Sequence, residues 1–357
     1  MEKKPGKVIT TLLTVLLVVL AIVRLGRIRE KGPLSAHQSR ILMDTVVSIQ
    51  VYRGDAERID RAVEAAFEEM ARLDDLLSAW KPNSDIDRIN RAAGADAVPV
   101  DPQTWEAIQE IQSLSELTRG AFDISIGAVT RLWDFSSPET APPDSAAISR
   151  ALPLVNPGQI LMDGPNRTIG LRHRGARLDL GGAAKGYIVD RAIEILREHG
   201  VEAAVIDAGG DIGLLGKKID GEPWKIGIRN PEDPGTTIEI IEVDSGAVAT
   251  SGNYERFFIH DQIRYHHILN PKTGRPVPQV VSVTILAPTA LEADILSTAI
   301  FVLGAREGLT LIEQLSDIEG VLYLEESQGL DRRASSNFPP STGEFILSKA
   351  TLPPRRS

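Results

Sequence analysis

Apolar residues recur at three- and four-residue spacings from Ala56 to Leu77. Ile59, Val63, Phe67, Met70, Leu73 and Leu77 share one face there and predict an amphipathic helix. A second such stretch, Pro102 to Arg119, aligns Trp105, Ile108, Ile111, Leu114 and Leu117. It opens at Asp101-Pro102, a capping residue followed by proline in the first turn, and stops at Gly120. Ile188 to His199, Ala290 to Leu303 and Glu307 to Leu315 read as further helices. Between the helices lie short β-type runs: 47–51, Ala203 to Ile206, Trp224 to Ile228, Ile238 to Val243 and Val281 to Leu286. Strands prevail in the second half, so the pattern predicts an α+β fold with a mixed or antiparallel sheet rather than strict βαβ alternation. Ser136 to Asp144, with three prolines, reads as an irregular loop, and 339–357 as a mobile tail.

One hydrophobic run fits no domain. Val8 to Val23 is uncharged, between Lys7 and Arg24, and its sixteen residues make about 24 Å of helix against a hydrocarbon core of about 30 Å. This is an export signal or a membrane anchor in residues 1–34. With no small-x-small cleavage site directly after it, a retained anchor is favoured over a cleaved signal. A core helix is disfavoured because its charged flanks would need burial. Residues 1–31 carry five surplus positive charges, which leaves −15 on the rest of a chain of formal net charge −10.

That acidity argues against a nucleic-acid backbone as partner. The 357 residues, 42% hydrophobic and 25% charged, are those of a globular protein. With no cysteine in the chain, disulfides, thiolate metal sites, iron–sulfur clusters and cysteine nucleophiles are excluded. Any metal must be held by oxygen or imidazole.

Three segments carry candidate chemistry. In Arg177 to Tyr187 a short apolar strand runs into Gly181-Gly182, then Lys185, then a helix. Backbone N–H groups at such a helix start, beside an ammonium, suit an anion. A tight strand–helix turn with a surface lysine is the plain alternative, and the glycine spacing is not that of a P-loop. In Tyr265 to Pro276, His266 and His267 are adjacent, diverge on a strand, and make a poor metal pair. A histidine before a turn set by Pro271 and Gly274 suits a general base or simply a hydrogen-bonded strand position. On the helix from Ala290, Asp294 and Thr298 lie one turn apart, a hard-oxygen pair that suits Mg²⁺ or an ordinary exposed face.

Taken together and in order, these segments resemble the ApbE family of exported FAD:protein FMN transferases. The likeness covers roughly Ile41 to Phe338. It rests on Met43-Asp44-Thr45, Leu77-Ser78-Ala79-Trp80, Gly120-Ala121-Phe122-Asp123-Ile124, Leu132-Trp133-Asp134-Phe135 and Asp179 to Tyr187. Gly209-Gly210-Asp211, Thr250-Ser251-Gly252-Asn253-Tyr254, His267 to Gly274 and Glu292-Ala293-Asp294 through Thr298 complete it. The resemblance implies one interlocked α+β unit, T-fold-like, over 35–338, with the site between its two halves. It implies a Mg²⁺-dependent enzyme that cleaves FAD and esterifies FMN to a threonine of an exported flavoprotein, such as an Nqr- or Rnf-type subunit, releasing AMP. By motif, Asp294, Thr298 and the Gly182 carbonyl match metal ligands, and His267 the base that activates the acceptor threonine. Met43, Trp80, Ala121, Phe122, Asp123, Asp179, Lys185 and Ile268 match positions lining the FAD site. Two residues depart from the common pattern: Ser297, where some members carry a carboxylate, and Asn270, where Asp is commonest. The family likeness and the anchor together imply a bacterial inner-membrane protein with its catalytic domain on the periplasmic side. An FAD pyrophosphatase and a non-catalytic flavin-binding protein are the alternatives.

Overall fold

The computed structural model describes residues 35–343, apart from 54–55, 138–139, 219–220, 234 and 328. The Val8 to Val23 segment and residues 344–357 of the tail lie outside the described residues.

Eight strands form the central sheet: β1 (Ala36–Leu42), β2 (Thr45–Val51), β3 (Ala204–Ala208), β4 (Asp211–Leu215), β5 (Gly246–Gly252), β6 (Val280–Ala287), β7 (Glu319–Glu326) and β8 (Gly329–Ala334). Their spatial order is their chain order, and every neighbouring pair is antiparallel. The loops after β1, β3, β5 and β7 therefore emerge at one end of the sheet, which gathers distant segments into one place. The sheet predicted as mixed or antiparallel is wholly antiparallel.

The helices are α1 (Ala56–Leu77), α2 (Asp85–Arg91), α3 (Pro102–Leu117), α4 (Ala184–Glu198) and α5 (Ala290–Ile312). α1, α4 and α5 pack on one another and on one face of the sheet. Val63, Phe67 and Met70 of α1 and Ile295, Ile300 and Phe301 of α5 are fully buried in this layer with Ile49 and Val283 of the strands. The other face is covered by the hairpin Trp224–Arg229/Thr237–Val243, whose alternate residues Trp224, Ile226 and Ile228 are buried against Leu214, Val248 and Val321. A third cluster, around Trp133, Phe135, Phe258 and Tyr265, forms where the 129–155 segment meets the hairpin Phe257–His260/Ile263–His266.

α5 is long and apolar enough by length and composition to cross a membrane, but it lies mostly buried between the sheet and α4. A helix apolar on all sides is what a position inside the core requires. Gly304, at φ 73° and ψ 178°, breaks it into the two stretches expected from the sequence. Its start is fixed twice: by a Thr289–Glu292 capping box, and by Asp190 of α4, which accepts from the Ala290 and Leu291 amides at 2.8 Å each. α4 begins at Ala184, four residues before the expected start. Its first turn is Ala-Lys-Gly-Tyr, which reads as a loop locally, but Gly186 is pressed against the α5 backbone.

Candidate active site

The segment before the glycine turn, expected as a short strand, is extended with only a single isolated bridge, and it runs beside Asp123 to Ile126. The Asp179 amide donates to the Ile124 carbonyl at 2.8 Å, and Ile126 bridges Arg177 in parallel. Buried Asn90 clamps Leu178 from the other side, donating to its carbonyl (3.0 Å) and accepting from its amide (2.6 Å). Asp123 and Asp179 are thereby brought together. Asp179 accepts from Thr130 Oγ1 (2.8 Å) on one oxygen and from the Gly181 amide (2.9 Å) on the other. Asp123 Oδ1 accepts from the amide and hydroxyl of Ser125 at 2.8 and 2.7 Å. Burial raises the Asp123 carboxyl above its ordinary range, against the pull of those two bonds.

The Gly182 turn packs closely on two side chains. A Cβ there would stand 3.1 Å from the Phe122 ring and 3.2 Å from Thr298 Oγ1, so the bare turn rests on both. Ser297 Oγ donates to the Asp294 carbonyl (2.9 Å), which leaves Ser251 as donor in the 2.8 Å Ser251–Ser297 bond. In the 3.3 Å contact with Ser251, Thr298 must then donate. The Thr298 lone pairs stay free, whereas the Ser297 hydroxyl is spent on its own helix and on Ser251. Asp294 is buried, and its Oδ2 accepts from the Gly186 amide at 3.1 Å. Among the described residues no group of three His, Asp or Glu gathers to hold a metal. The donors here are one carboxylate, one hydroxyl and the backbone of the glycine turn. Such a hard-oxygen set fits Mg²⁺ completed by water or phosphate.

Lys185, in the first turn of α4, ion-pairs with the buried carboxylate of Asp211 at the start of β4. Asp211 follows Gly209 and Gly210, both left-handed (φ 67° and 101°), and Gly209 is pressed on Thr45. Met43, itself left-handed at φ 52°, donates its amide to Asp74 Oδ2 (3.2 Å). Asp74 and Asp75 in turn hold Lys81 Nζ at 2.7 Å each, next to Trp80. Trp80 is 67% exposed, on a loop whose Ala79 carbonyl accepts from Arg177 (3.1 Å). Met43 is thus tied through Asp74 and Lys81 to the Trp80 loop, and that loop to Arg177.

His267 directs both its amide and its ring Nδ1 at the Arg256 carbonyl, at 3.1 and 3.2 Å. A carbonyl only accepts, so Nδ1 carries the proton and Nε2 presents a lone pair. Burial, then the Arg256 guanidinium, push the imidazole down to about 3, and the Lys185 ammonium adds to the effect. His266 diverges as expected: its Nε2 donates to the Val277 carbonyl (2.9 Å) and its ring meets Phe301 edge-on. Ile268 is buried behind the pair. Asn270 serves the turn, its side chain accepting from the Lys272 amide (2.8 Å), and Lys272 Nζ donates to the Arg119 carbonyl (3.3 Å) beside Ala121. The orientation of His267 therefore owes nothing to residue 270.

Ser251, Asp211 and Arg256 belong to segments singled out in the sequence but had no role there, and Thr130 and Ser125 were not singled out. Most of these contacts span long stretches of chain, such as Thr130 to Asp179, and no local pattern signals them; the Ser125 bonds to Asp123, two residues apart, are the local exception. A separate cavity of about 760 Å³, lined by Ile259, Ile263, Arg264, His266 and Gln279 among others, contains none of the predicted site residues.

A glycine turn with an ammonium, a hard-oxygen pair and an imidazole thus gather at one end of an antiparallel sheet. Residues 43–322 match the model of the ApbE family. A Klebsiella pneumoniae protein named FAD:protein FMN transferase is 34% identical over 79% of this chain and 87% of its own. One of the same name from Treponema pallidum is 31% identical over 85% of this chain and 87% of its own. Among solved structures, the ApbE protein of Thermotoga maritima superposes with a TM-score of 0.76 at 34% identity, covering 84% of this chain and 97% of that one. The flavin transferase ApbE of Vibrio cholerae gives 0.74 at 29%, covering 85% and 97%. The chain belongs to the ApbE family, and it is a transferase.

Proposed function

We propose that this protein transfers FMN from FAD to a threonine hydroxyl of an exported flavoprotein, with AMP as the leaving group. The observation that carries the reading is the packing of the Gly182 turn on Thr298, with the Lys185 ammonium fixed beside it. That arrangement sets cationic and N–H donors against hard-oxygen ligands, as cleavage of a diphosphate requires. Asp294, Thr298 and the Gly182 carbonyl would hold Mg²⁺, which when bound neutralises charge on the phosphates. Lys185 and the amides at the start of α4 bind the anion. Trp80 and Met43 border the ring-binding part of the site, and Asp123 and Asp179 accept hydrogen bonds from ribose or base donors. His267 Nε2 takes the threonine proton as its oxygen bonds to the FMN phosphorus and the bond to the AMP phosphate breaks. Burial is the chief cause of the depressed basicity of the imidazole, and the charge of a bound diphosphate would oppose the smaller Arg256 and Lys185 contributions to it. The acceptor class, Nqr- or Rnf-type subunits, and a location on the periplasmic side of an inner membrane through Val8 to Val23 belong to the same proposal.

The test incubates the protein from Ser35 with FAD, Mg²⁺ and a candidate acceptor domain, followed by intact-mass spectrometry and nucleotide chromatography. A mass gain equal to esterified FMN, matched by AMP and abolished by EDTA, is the expected result. Free FMN and AMP with an unlabelled acceptor would instead identify a pyrophosphatase, and intact FAD a binding protein.

A further inference from the structure

We propose that Asp211 is a positioning residue: it holds the Lys185 ammonium in place at the glycine turn before the dinucleotide arrives. The inference rests on the reading of Lys185 as a ligand of the FAD diphosphate. Lys185 lies in the first turn of α4, where the helix dipole already presents positive charge and a cation is disfavoured. Only an anion makes that placement favourable. Asp211 supplies one in the empty protein, from a buried site at the start of β4, while the lysine side chain remains about one-third exposed.

The elements on either side make the carboxylate a fixed post. Gly209 and Gly210 take left-handed conformations, the Gly210 amide donates to Asp207 Oδ1 at 2.9 Å, and a Cβ at Gly209 would stand 2.4 Å from Thr45 Oγ1. Asp211 is then paired in the sheet opposite Ala208. A flexible four-carbon stem tethered to such a post loses its freedom before binding rather than during it, and a preorganised cation binds an anion more tightly for that reason. The opposite outcome is also physical: a carboxylate beside a diphosphate repels it, and a lysine engaged with Asp211 is less available. The proposal is that ordering outweighs this competition.

The experiment measures FAD affinity by flavin fluorescence, with AMP release kinetics, for the wild type, D211N, D211E, K185M and the double variant K185M/D211N, with thermal unfolding as a check on folding. D211N is expected to fold, to weaken FAD binding about tenfold and to raise KM rather than lower kcat, and D211E to recover part of the loss. In the K185M background the D211N change is expected to have no further effect, since there is no ammonium left to place. FAD binding by D211N that equals or exceeds that of the wild type would overturn the proposal. So would a loss of equal size in the K185M background, which marks Asp211 as acting on the sheet alone. If D211N fails to fold, D211E carries the test: it must bind FAD more weakly than the wild type when Lys185 is present and must add nothing to K185M, and wild-type affinity in D211E together with an added loss in K185M/D211E would overturn the proposal. Wild-type protein that binds no FAD would refute the functional reading and this proposal together, which separates that failure from the others.

Discussion

Gly186→Ala sets two principles against each other. Helix propensity alone favours alanine inside α4 by about 1 kcal/mol. Packing opposes it, because a Cβ at residue 186 would stand 2.4 Å from the Ala290 carbonyl oxygen and 2.7 Å from Leu291 Cα, both backbone atoms of α5. Ordinary contact begins near 3.4 Å, so α4 and α5 must part by about 1 Å at the point where they carry Lys185 and Asp294. Backbone cannot swing aside as a side chain does, which places the cost at the upper part of the overpacking range, about 3 kcal/mol. The net is a destabilisation of about 2 kcal/mol, or a fall in Tm of about 3 °C for a domain of roughly 300 residues. The 3.1 Å bond from the Gly186 amide to Asp294 Oδ2 lengthens with it, so cation affinity falls as well. Thermal unfolding by circular dichroism and titration with Mn²⁺ as a paramagnetic probe measure the two effects. An unchanged or higher Tm would show that propensity governs the position and would refute the packing argument.

Other variants test single roles. Asp294→Ala is expected to cut Mg²⁺-dependent AMP release by at least about 100-fold, read by nucleotide chromatography across a Mg²⁺ titration; undiminished Mg²⁺-dependent turnover would remove Asp294 from the metal site. His267→Ala should keep FAD affinity within a few-fold while transfer to the acceptor slows by about 10²–10⁴-fold, and a loss confined to FAD binding would reassign the residue to substrate positioning. Because His267 is held down to about 3 against an ordinary 6.5, the unfolded chain binds a proton between those values that the native protein does not. Its contribution to stability is complete above about pH 6.5 and declines as the pH falls toward 3. The wild type should therefore lose more of its urea midpoint between pH 7.5 and 5 than His267→Gln does, and parallel declines would contradict the assignment. Trp80→Ala should leave Tm unchanged, since the ring is exposed, and weaken FAD binding about tenfold by loss of stacking; equal affinity would take Trp80 out of the site.

Local periodicity alone determined much of this protein. α1 runs over the Ala56–Leu77 range that its apolar spacing marks, and α3 follows its Asp101-Pro102 start, because amphipathic faces and caps are written within a few residues of one another. The strand at Trp224–Arg229 was equally legible from its alternation. β1, β4, β5, β7 and β8 were not: β4, β5 and β7 are mostly buried or contain glycine and so lack a polar face to alternate with, whereas β1 and β8 are edge strands too polar to show an apolar run. The early start of α4 was hidden for a related reason: Gly186 in its first turn is small because the α5 backbone lies on it, a fact that no local pattern contains.

The site divides in the same way. Asp294 and Thr298 were readable as neighbours because one helical turn joins them, and the order of motifs carried the family likeness. Which oxygen of which residue is free was decided by tertiary contacts alone. Thr298 is left with open lone pairs by Ser251, Lys185 is held by Asp211, and the His267 tautomer is set by the Arg256 carbonyl. Residue types in sequence state what chemistry is available. Only the fold, which brings loops from distant parts of the chain to one end of the sheet, decides which hydrogen bonds are already spent and which remain for a substrate.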